Sequence, residues 1–165
     1  QGRLSPEDAA EAALARIKTT EPTLNAFQLV DEAGAREAAV ASAKRWAEGR
    51  PLGPMDCSPL SIKDIVAMKN WPTLSGSKTV DTNGPFDEDA PAVARLREGG
   101  AVILGKTTTP EFGWKGMTDG PLFGTTRNPW NPKRTPGGSS GGAAAALAAI
   151  SICADPTAIS ARRAK

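Results

Sequence analysis

Residues 136–150 read Pro-Gly-Gly-Ser-Ser-Gly-Gly and then Ala-Ala-Ala-Ala-Leu-Ala-Ala-Ile, and this stretch decides how the chain is interpreted. The four glycines around Ser139 and Ser140 permit backbone torsions that other residues rarely adopt. Because the alanine-rich run is a strong helix former, the serines lie on an ordered loop that opens a helix rather than in a flexible linker. The loop is therefore either an anion-binding turn or a device that presents two hydroxyl groups for chemistry.

The chain contains no histidine in its 165 residues. This excludes a Ser-His-Asp triad, a Cys-His pair and any metal site that needs imidazole. The base that could activate a serine must then be another side chain, and Lys63 is the candidate because it follows the apolar residues of a short strand at 59–66. Burial without a counter-ion lowers the pKa of a lysine, so that its neutral amine can accept a proton. The alternative, on position alone, is a surface lysine whose stem covers apolar neighbours.

The first fifty residues are predicted to form two helices. The first begins after a cap at Ser5 and ends at Glu21-Pro22, and the second begins after a cap at Asp31 and continues to Trp46. A short extended segment at 24–30 separates them.

A strand, a helix and a second strand are predicted in the following region. The strand at 59–66 precedes a helix at 87–99, capped by Asp87 or Asp89, and an apolar strand at 100–104. This order is typical of a βαβ unit in a mixed α/β sheet.

Residues 100–107 match the letters of a phosphate-binding P-loop, with Lys106 and Thr107 at its end. A P-loop needs flexible residues that wrap a phosphate and lead into a helix. Here the middle residues are the apolar strand, and a Thr-Thr-Pro sequence that resists helix continuation follows. These features disfavour the nucleotide-binding interpretation, which would require magnesium-dependent ATP binding that Lys106→Ala abolishes.

The overall composition favours a globular protein without a charged partner. The formal net charge is +2, which gives no reason to expect nucleic acid or an anionic membrane, and no signal stretch precedes the first helix. The longest apolar run, 143–150, is too short to span a bilayer. Because Cys57 and Cys153 are far apart and form no CxxC motif, we expect reduced cysteines, no metal and a cytoplasmic location.

Six ordered segments together resemble the N-terminal part of an amidase signature family enzyme. They are residues 59–64, 89–96, 99–107, 109–114, 127–130 and 136–142, and the last of them is the specific signature of the family. The resemblance implies an α/β fold with a central mixed sheet flanked by helices, incomplete in this chain. It implies one amidase domain over residues 1–165, with a helical part at 1–50, a sheet and loop core at 58–150 and a non-matching tail at 151–165.

The resemblance also implies a chemistry, hydrolysis of amide C–N bonds by a Ser–cis-Ser–Lys triad without a cofactor or metal. Carried over, Lys63 is the base and Ser139 the bridging serine, and the peptide bond from Gly138 to Ser139 is cis. Gly138 belongs to the substrate-binding set, and Gly113 and Trp114 lie in a segment that lines the acyl pocket in relatives. The implied substrate is a small-molecule amide.

The chain departs from the family at two places. No Asp-x-Gly-Gly-Ser loop carries a nucleophile after Ser139, since the later serines, Ser151 and Ser160, lie in no such loop. Asp56 and Cys57 stand where relatives usually have a His-Gly pair before the lysine strand. We therefore expect a truncated or disrupted amidase that is inactive alone, the alternative being a non-catalytic remnant that binds through the loop face. An incomplete sheet predicts self-association through its open edge.

Overall fold

Two packed helices form the first layer of the structure, a computed structural model that describes residues 4–151. Helix α1 spans Pro6–Leu24 and helix α2 spans Glu32–Ala47. Both predicted caps are confirmed: the side chain of Ser5 accepts a hydrogen bond from the Asp8 amide, and that of Asp31 accepts one from the Gly34 amide. These caps satisfy amides that have no partner within the helix.

The predicted end of α1 is wrong, since it lies two to three residues too early. The helix continues through Pro22 to Leu24, although proline in a helix was expected to end it. Asn25 ends the helix instead, because it adopts a left-handed conformation with φ of 49° and its amide donates to the Glu21 carbonyl at 2.9 Å.

Three strands form the central sheet: β1 at Phe27–Val30, β2 at Pro59–Lys63 and β3 at Val102–Thr107. Their order is β1-β3-β2, with β1 antiparallel and β2 parallel to β3, so the sheet is mixed as predicted. Helix α3, at Pro91–Glu98, connects β2 to β3 and confirms the βαβ unit.

Several boundaries of this unit differ from their predictions, since β2 ends at Lys63 rather than at 66 and β3 begins at Val102 rather than at 100. Helix α3 begins after Ala90, which makes no side-chain cap, whereas the Asp89 carboxylate accepts hydrogen bonds from the Lys69 amide and the Arg97 side chain. Asp89 thus connects the backbone at Lys69 to helix α3 and does not cap the helix. The predicted caps, Asp87 or Asp89, are wrong. Strand β3 continues beyond Leu104 to Thr107, because its last residues find partners inside the protein.

The segment after β3 consists mostly of loops. It contains a 3-10 turn at Glu111–Gly113 and a small hairpin of β4, Asp119–Gly120, and β5, Gly124–Thr125. The glycine- and serine-rich loop then leads into helix α4 at Gly141–Ser151, which begins two residues earlier than the alanine run indicates.

Alternate residues of β3 face two separate apolar clusters. Val102 and Leu104 pack with residues of α1, α2 and α4, whereas Ile103 packs with Val93 of α3 and Ile62 of β2. This alternation is the two-residue period of a strand covered on both faces. Because both faces of the sheet are covered, the loops at the carboxyl ends of β2 and β3 are where a functional site can form. None of the helices in the described part of the chain is both long and apolar enough to cross a membrane.

Candidate active site

Lys63 is the last residue of β2, and its ammonium group reaches the loop of residues 136–140 before α4, which we call the serine loop. The Nζ atom lies 2.7 Å from Oγ of Ser139 and 3.0 Å from Oγ of Ser140. Lys63 and Ser139 are 76 residues apart in sequence, so the fold brings these two predicted residues together. A lysine amine and a serine hydroxyl at this distance can share a proton.

Burial lowers the pKa of Lys63 below its ordinary value. The side chain is half-buried, and among the residues the structure describes its polar partners are hydroxyl groups rather than carboxylates. Without a carboxylate to stabilise the ammonium, desolvation favours the neutral amine. The environment therefore suits a proton acceptor better than a structural ion pair.

The serine loop is held by a series of threonines that the sequence interpretation missed. Oγ1 of Thr109 donates to the Ser139 carbonyl at 3.2 Å. Oγ1 of Thr118 donates to the Gly137 carbonyl at 3.0 Å and accepts a hydrogen bond from the Gly141 amide at 3.0 Å. The Thr-Thr-Thr run at 107–109, which begins at the last residue of β3, was the available signal for Thr109.

Glycine is required in this loop because the backbone passes close to its neighbours. A Cβ atom on Gly138 would lie 2.8 Å from the Met117 backbone, and one on Gly142 would lie 2.4 Å from Oγ1 of Thr108. The peptide bond between Gly138 and Ser139 is cis, as the sequence resemblance implies. The glycines thus allow the loop to sit against the 108–118 segment with Ser139 directed at Lys63.

The two other predicted binding residues lie at different distances from the Lys63–Ser139 pair. A Cβ atom on Gly113 would lie 3.6 Å from Oγ of Ser139, so Gly113 borders the pair. Trp114 is 90% exposed and lines an open cavity of about 390 Å³ with Glu111, Lys115 and Pro121. A ligand that contacts both the Lys63–Ser139 pair and the cavity beside Trp114 must extend past Gly113.

Lys106 does not form a phosphate-binding loop. Its side chain is completely buried at the end of β3, and its Nζ atom lies 3.4 Å from a carboxylate oxygen of Asp64. Nζ also donates to the Pro72 carbonyl at 2.9 Å. The rejection of the P-loop interpretation is confirmed, but the buried ion pair was not predicted.

No group of three or more histidine, cysteine or acidic side chains suitable for a metal occurs within residues 4–151. Cys57 is a free thiol in the same part of the chain.

Known proteins match this chain in both sequence and structure. The family model described as Amidase matches residues 8–154. The A-subunit of the glutamyl-tRNA(Gln) amidotransferase from Acidothermus cellulolyticus is 45% identical over 147 residues, which cover 89% of this chain and 29% of that protein. Its counterpart from Roseiflexus castenholzii is 45% identical over 149 residues, 90% of this chain and 30% of its own length.

Solved structures of the family superpose closely on the described fold. An amidase crystal structure has a TM-score of 0.83 and 38% identity, covering 90% of this chain and 34% of its own. A bacterial aryl acylamidase of the amidase signature family has a TM-score of 0.78 and 34% identity, covering 90% of this chain and 31% of its own. The chain thus spans about a third of the length of these relatives, and it belongs to the amidase family.

Proposed function

We propose that this chain carries the base half of an amide-hydrolysing site, with Lys63 as the base and Ser139 as the bridging serine. The observation that carries this proposal is the 2.7 Å distance between Nζ of Lys63 and Oγ of Ser139. The lowered pKa of Lys63, caused by burial, supports it because a neutral amine is the form that accepts a proton.

The proposed reaction needs a nucleophilic serine outside the described residues. The hydroxyl of that serine attacks the amide carbon while its proton passes to Ser139, whose own proton passes to Lys63. The proton then returns to the departing nitrogen, the C–N bond breaks, and water hydrolyses the acyl-enzyme. Gly138 and Gly113 border the reacting groups and are proposed to line the binding site for a small-molecule amide; Trp114 would contact a longer substrate.

Grafting provides the direct test of the base half. Residues 8–154 of this chain replace the matching segment of the Acidothermus cellulolyticus relative, and hydrolysis of a panel of simple amides is measured. We expect turnover that falls by at least about 100-fold on Lys63→Ala and on Ser139→Ala. The matched control is Lys133→Ala, an exposed lysine outside the site, which should retain full activity. Equal activity of all three variants would contradict the proposal.

The chain by itself is proposed to be inactive. Incubation with a serine-directed fluorophosphonate and with simple amides should give neither labelling nor release of ammonia. Labelling and turnover that both disappear in Lys63→Ala would overturn this part of the proposal. Residues 1–165 are further proposed to be part of one amidase domain, and a single cooperative melt would agree with that.

A non-catalytic binding role is the second candidate, favoured by the exposed aromatic side chains beside the site. Trp114 is 90% exposed and Phe112 58% exposed at the edge of the 390 Å³ cavity. Amide ligands that quench tryptophan fluorescence in the native chain and in Lys63→Ala, but not in Trp114→Ala, would support binding without catalysis.

Self-association is also proposed, through an apolar groove beside the outer strand β2. The groove of about 540 Å³ is lined by residues of α1, β2 and α4, and Leu147 beside it is 69% exposed. Sedimentation should show dimers or larger species that Leu147→Lys shifts towards monomer. A native chain that sediments as a monomer would contradict this.

A location in the cytoplasm and a lack of nucleic-acid binding remain predictions. The net charge of +2 and the free thiol of Cys57 support them. Imaging of a tagged chain and a filter-binding assay with RNA and DNA would test them.

A further inference from the structure

The fully buried pair of Asp64 and Lys106 connects both parts of the candidate site. Asp64 directly follows Lys63, and Lys106 lies opposite Ile62 in the register of β2 and β3. The two charged groups are 3.4 Å apart and both side chains are completely buried. A buried ion pair is costly unless further hydrogen bonds satisfy it, so its remaining contacts show what it organises.

Those contacts are directed at the loop of residues 72–77. Asp64 accepts hydrogen bonds from the amides of Leu74 and Gly76, both at 3.2 Å. Lys106 donates to the Pro72 carbonyl at 2.9 Å and to Oγ1 of Thr73 at 2.5 Å. Both members of the pair therefore hold this loop: the Asp64 carboxylate binds its amides, and the Lys106 ammonium binds its oxygen atoms.

The loop in turn supports the segment that borders Ser139. The Phe112 amide donates to the Ser75 carbonyl at 2.7 Å, and Oγ of Ser77 donates to the Glu111 carboxylate at 2.7 Å. A Cβ atom on Gly76 would lie only 2.6 Å from the Thr109 carbonyl, so the two backbones are in close contact. Thr109 bonds the Ser139 carbonyl, which completes the connection.

We propose that Asp64 and Lys106 are positioning residues that hold Lys63 and Ser139 in register through the 72–77 loop. Asp64 fixes the backbone next to Lys63 because it is the following residue. Asp64 and Lys106 together fix the 72–77 loop, which supports the segment that borders Ser139. Gln28 of β1 completes the arrangement by donating to Asp64 at 3.1 Å. This inference rests on the proposed function, because it assigns a purpose to the pair only if Lys63 and Ser139 act together.

The test follows the titration of Lys63 in the full chain. Lysine labelled with ¹³C at the ε-carbon gives nine resonances for the nine lysines, and the one lost in Lys63→Met belongs to Lys63. The variant Asp64→Asn/Lys106→Met removes both charges together, since a single change would leave an unpaired buried charge. We expect this variant to keep a cooperative melt while Lys63 titrates at higher pH, because a looser loop admits water to its amine.

The matched control is Arg45→Met/Asp56→Asn, which removes the other buried ion pair of the described chain, at the opposite end of β2. It should leave the Lys63 titration unchanged. An unchanged Lys63 titration in a folded Asp64→Asn/Lys106→Met variant, or an equal shift in the control, would overturn the proposal. If the first variant does not fold, Thr73→Val decides: a smaller shift in the same direction supports the proposal and no shift overturns it.

Ser139→Ala separates this inference from the proposed function. In the native chain it should alter the Lys63 titration, because it removes the 2.7 Å contact. No change there would show that the lysine–serine pair of the proposed function is wrong. A change there, with none in the Asp64→Asn/Lys106→Met variant, would leave the proposed function intact and refute only the positioning role.

Discussion

The two ends of β2 each bury an aspartate with a basic partner, but they bind their aspartates in different ways. In the turn before the strand, Asp56 accepts two hydrogen bonds from Arg45, at 2.7 and 2.9 Å, one from Ser42 at 2.7 Å and one from the Leu52 amide at 2.9 Å. The Arg45 guanidinium holds the pKa of Asp56 well below its usual range. Here the charge is satisfied locally by a planar, two-contact partner.

At the other end of β2, the carboxylate of Asp64 meets a single amine at 3.4 Å. Burial raises the pKa of Asp64, and Lys106 opposes this only in part. Backbone amides from the 72–77 loop supply much of its remaining stabilisation. The comparison teaches that the first pair fastens helix α2 to the turn before β2, whereas the second spreads its hydrogen bonds over a loop that borders the candidate site.

The largest expected effect is the loss of stability in Asp56→Asn. The change leaves Arg45 without its counter-ion at a largely buried position, and we expect a loss of about 3 kcal/mol. The melting temperature should fall by about 6–12 °C. The same substitution at the exposed Asp87 should change stability by less than about 0.5 kcal/mol. Similar losses in the two variants would end the distinction drawn for Asp56.

The pH dependence of the Asp56→Asn effect has a defined sign. A carboxyl group whose pKa is lowered by folding stabilises the protein above its unfolded pKa, near 3.8, and that contribution is lost as the pH falls. Denaturant titrations should therefore show the difference between native chain and variant shrinking below pH 3.8. A constant difference would indicate that the substitution disrupts packing rather than charge.

The next largest effect concerns the close packing of helix α4 against the carboxyl end of β3. In Gly142→Ala, the new Cβ atom would lie 2.4 Å from Oγ1 of Thr108 and 2.5 Å from its carbonyl oxygen. We expect a loss of about 1–3 kcal/mol in the free energy of unfolding, since helix α4 must move away. In Gly116→Ala nothing lies within 4 Å of the new atom, so denaturant unfolding should give a nearly unchanged stability. A neutral Gly142→Ala would show that the loop adapts.

A smaller effect is expected in the pH dependence of Lys63→Met. Burial lowers the pKa of Lys63, so the native chain carries an unfavourable charge that disappears as the pH rises towards 10.5. Thermal melts should show the native chain gaining stability relative to Lys63→Met over that range. Lys133→Met controls for the loss of a positive charge at an exposed position. If the native chain gains as much stability relative to Lys133→Met as relative to Lys63→Met, burial is not the cause of the lowered pKa of Lys63.

The smallest effect is expected for an ion pair on the surface. Arg36 of α2 contacts Glu11 of α1 and Glu32 of its own helix, and all three side chains are about half exposed. Arg36→Ala should lower the stability only slightly, and salt at about 1 M should remove most of that difference. If Arg36→Ala lost as much stability as Asp56→Asn, the exposure of an ion pair would not determine how much it stabilises this protein.

The sequence was sufficient where structure is determined by neighbours along the chain. Ser5 and Asp31 cap helices because their partners are three residues away, and the βαβ unit follows from the order of apolar segments. Lys63 could be singled out from its apolar neighbours, and Ser139 from its glycines. Their roles in catalysis stay predictions, although the fold brings them within hydrogen-bond distance.

The sequence was insufficient where partners come from distant segments. Strand β3 was expected to end at Leu104 because Gly105 and Lys106 interrupt its apolar run, but Lys106 stays in the strand by pairing with Asp64. Thr118 carries no local sign that it will hold the serine loop, and for Thr109 the Thr-Thr-Thr run at 107–109 is the one local signal. The end of α1 shifted because the left-handed conformation of Asn25 provided a stop that Pro22 did not.

The 76-residue separation of Lys63 and Ser139 has a consequence for synthesis of the chain. At about 5–20 residues per second, Ser139 is made roughly 4–15 s after Lys63. During that interval the lysine has neither its hydroxyl partners nor the cover of the serine loop. The desolvated amine comes into being only when the serine loop is added, so a ribosome-bound chain lacks the candidate site until the last of these segments emerges.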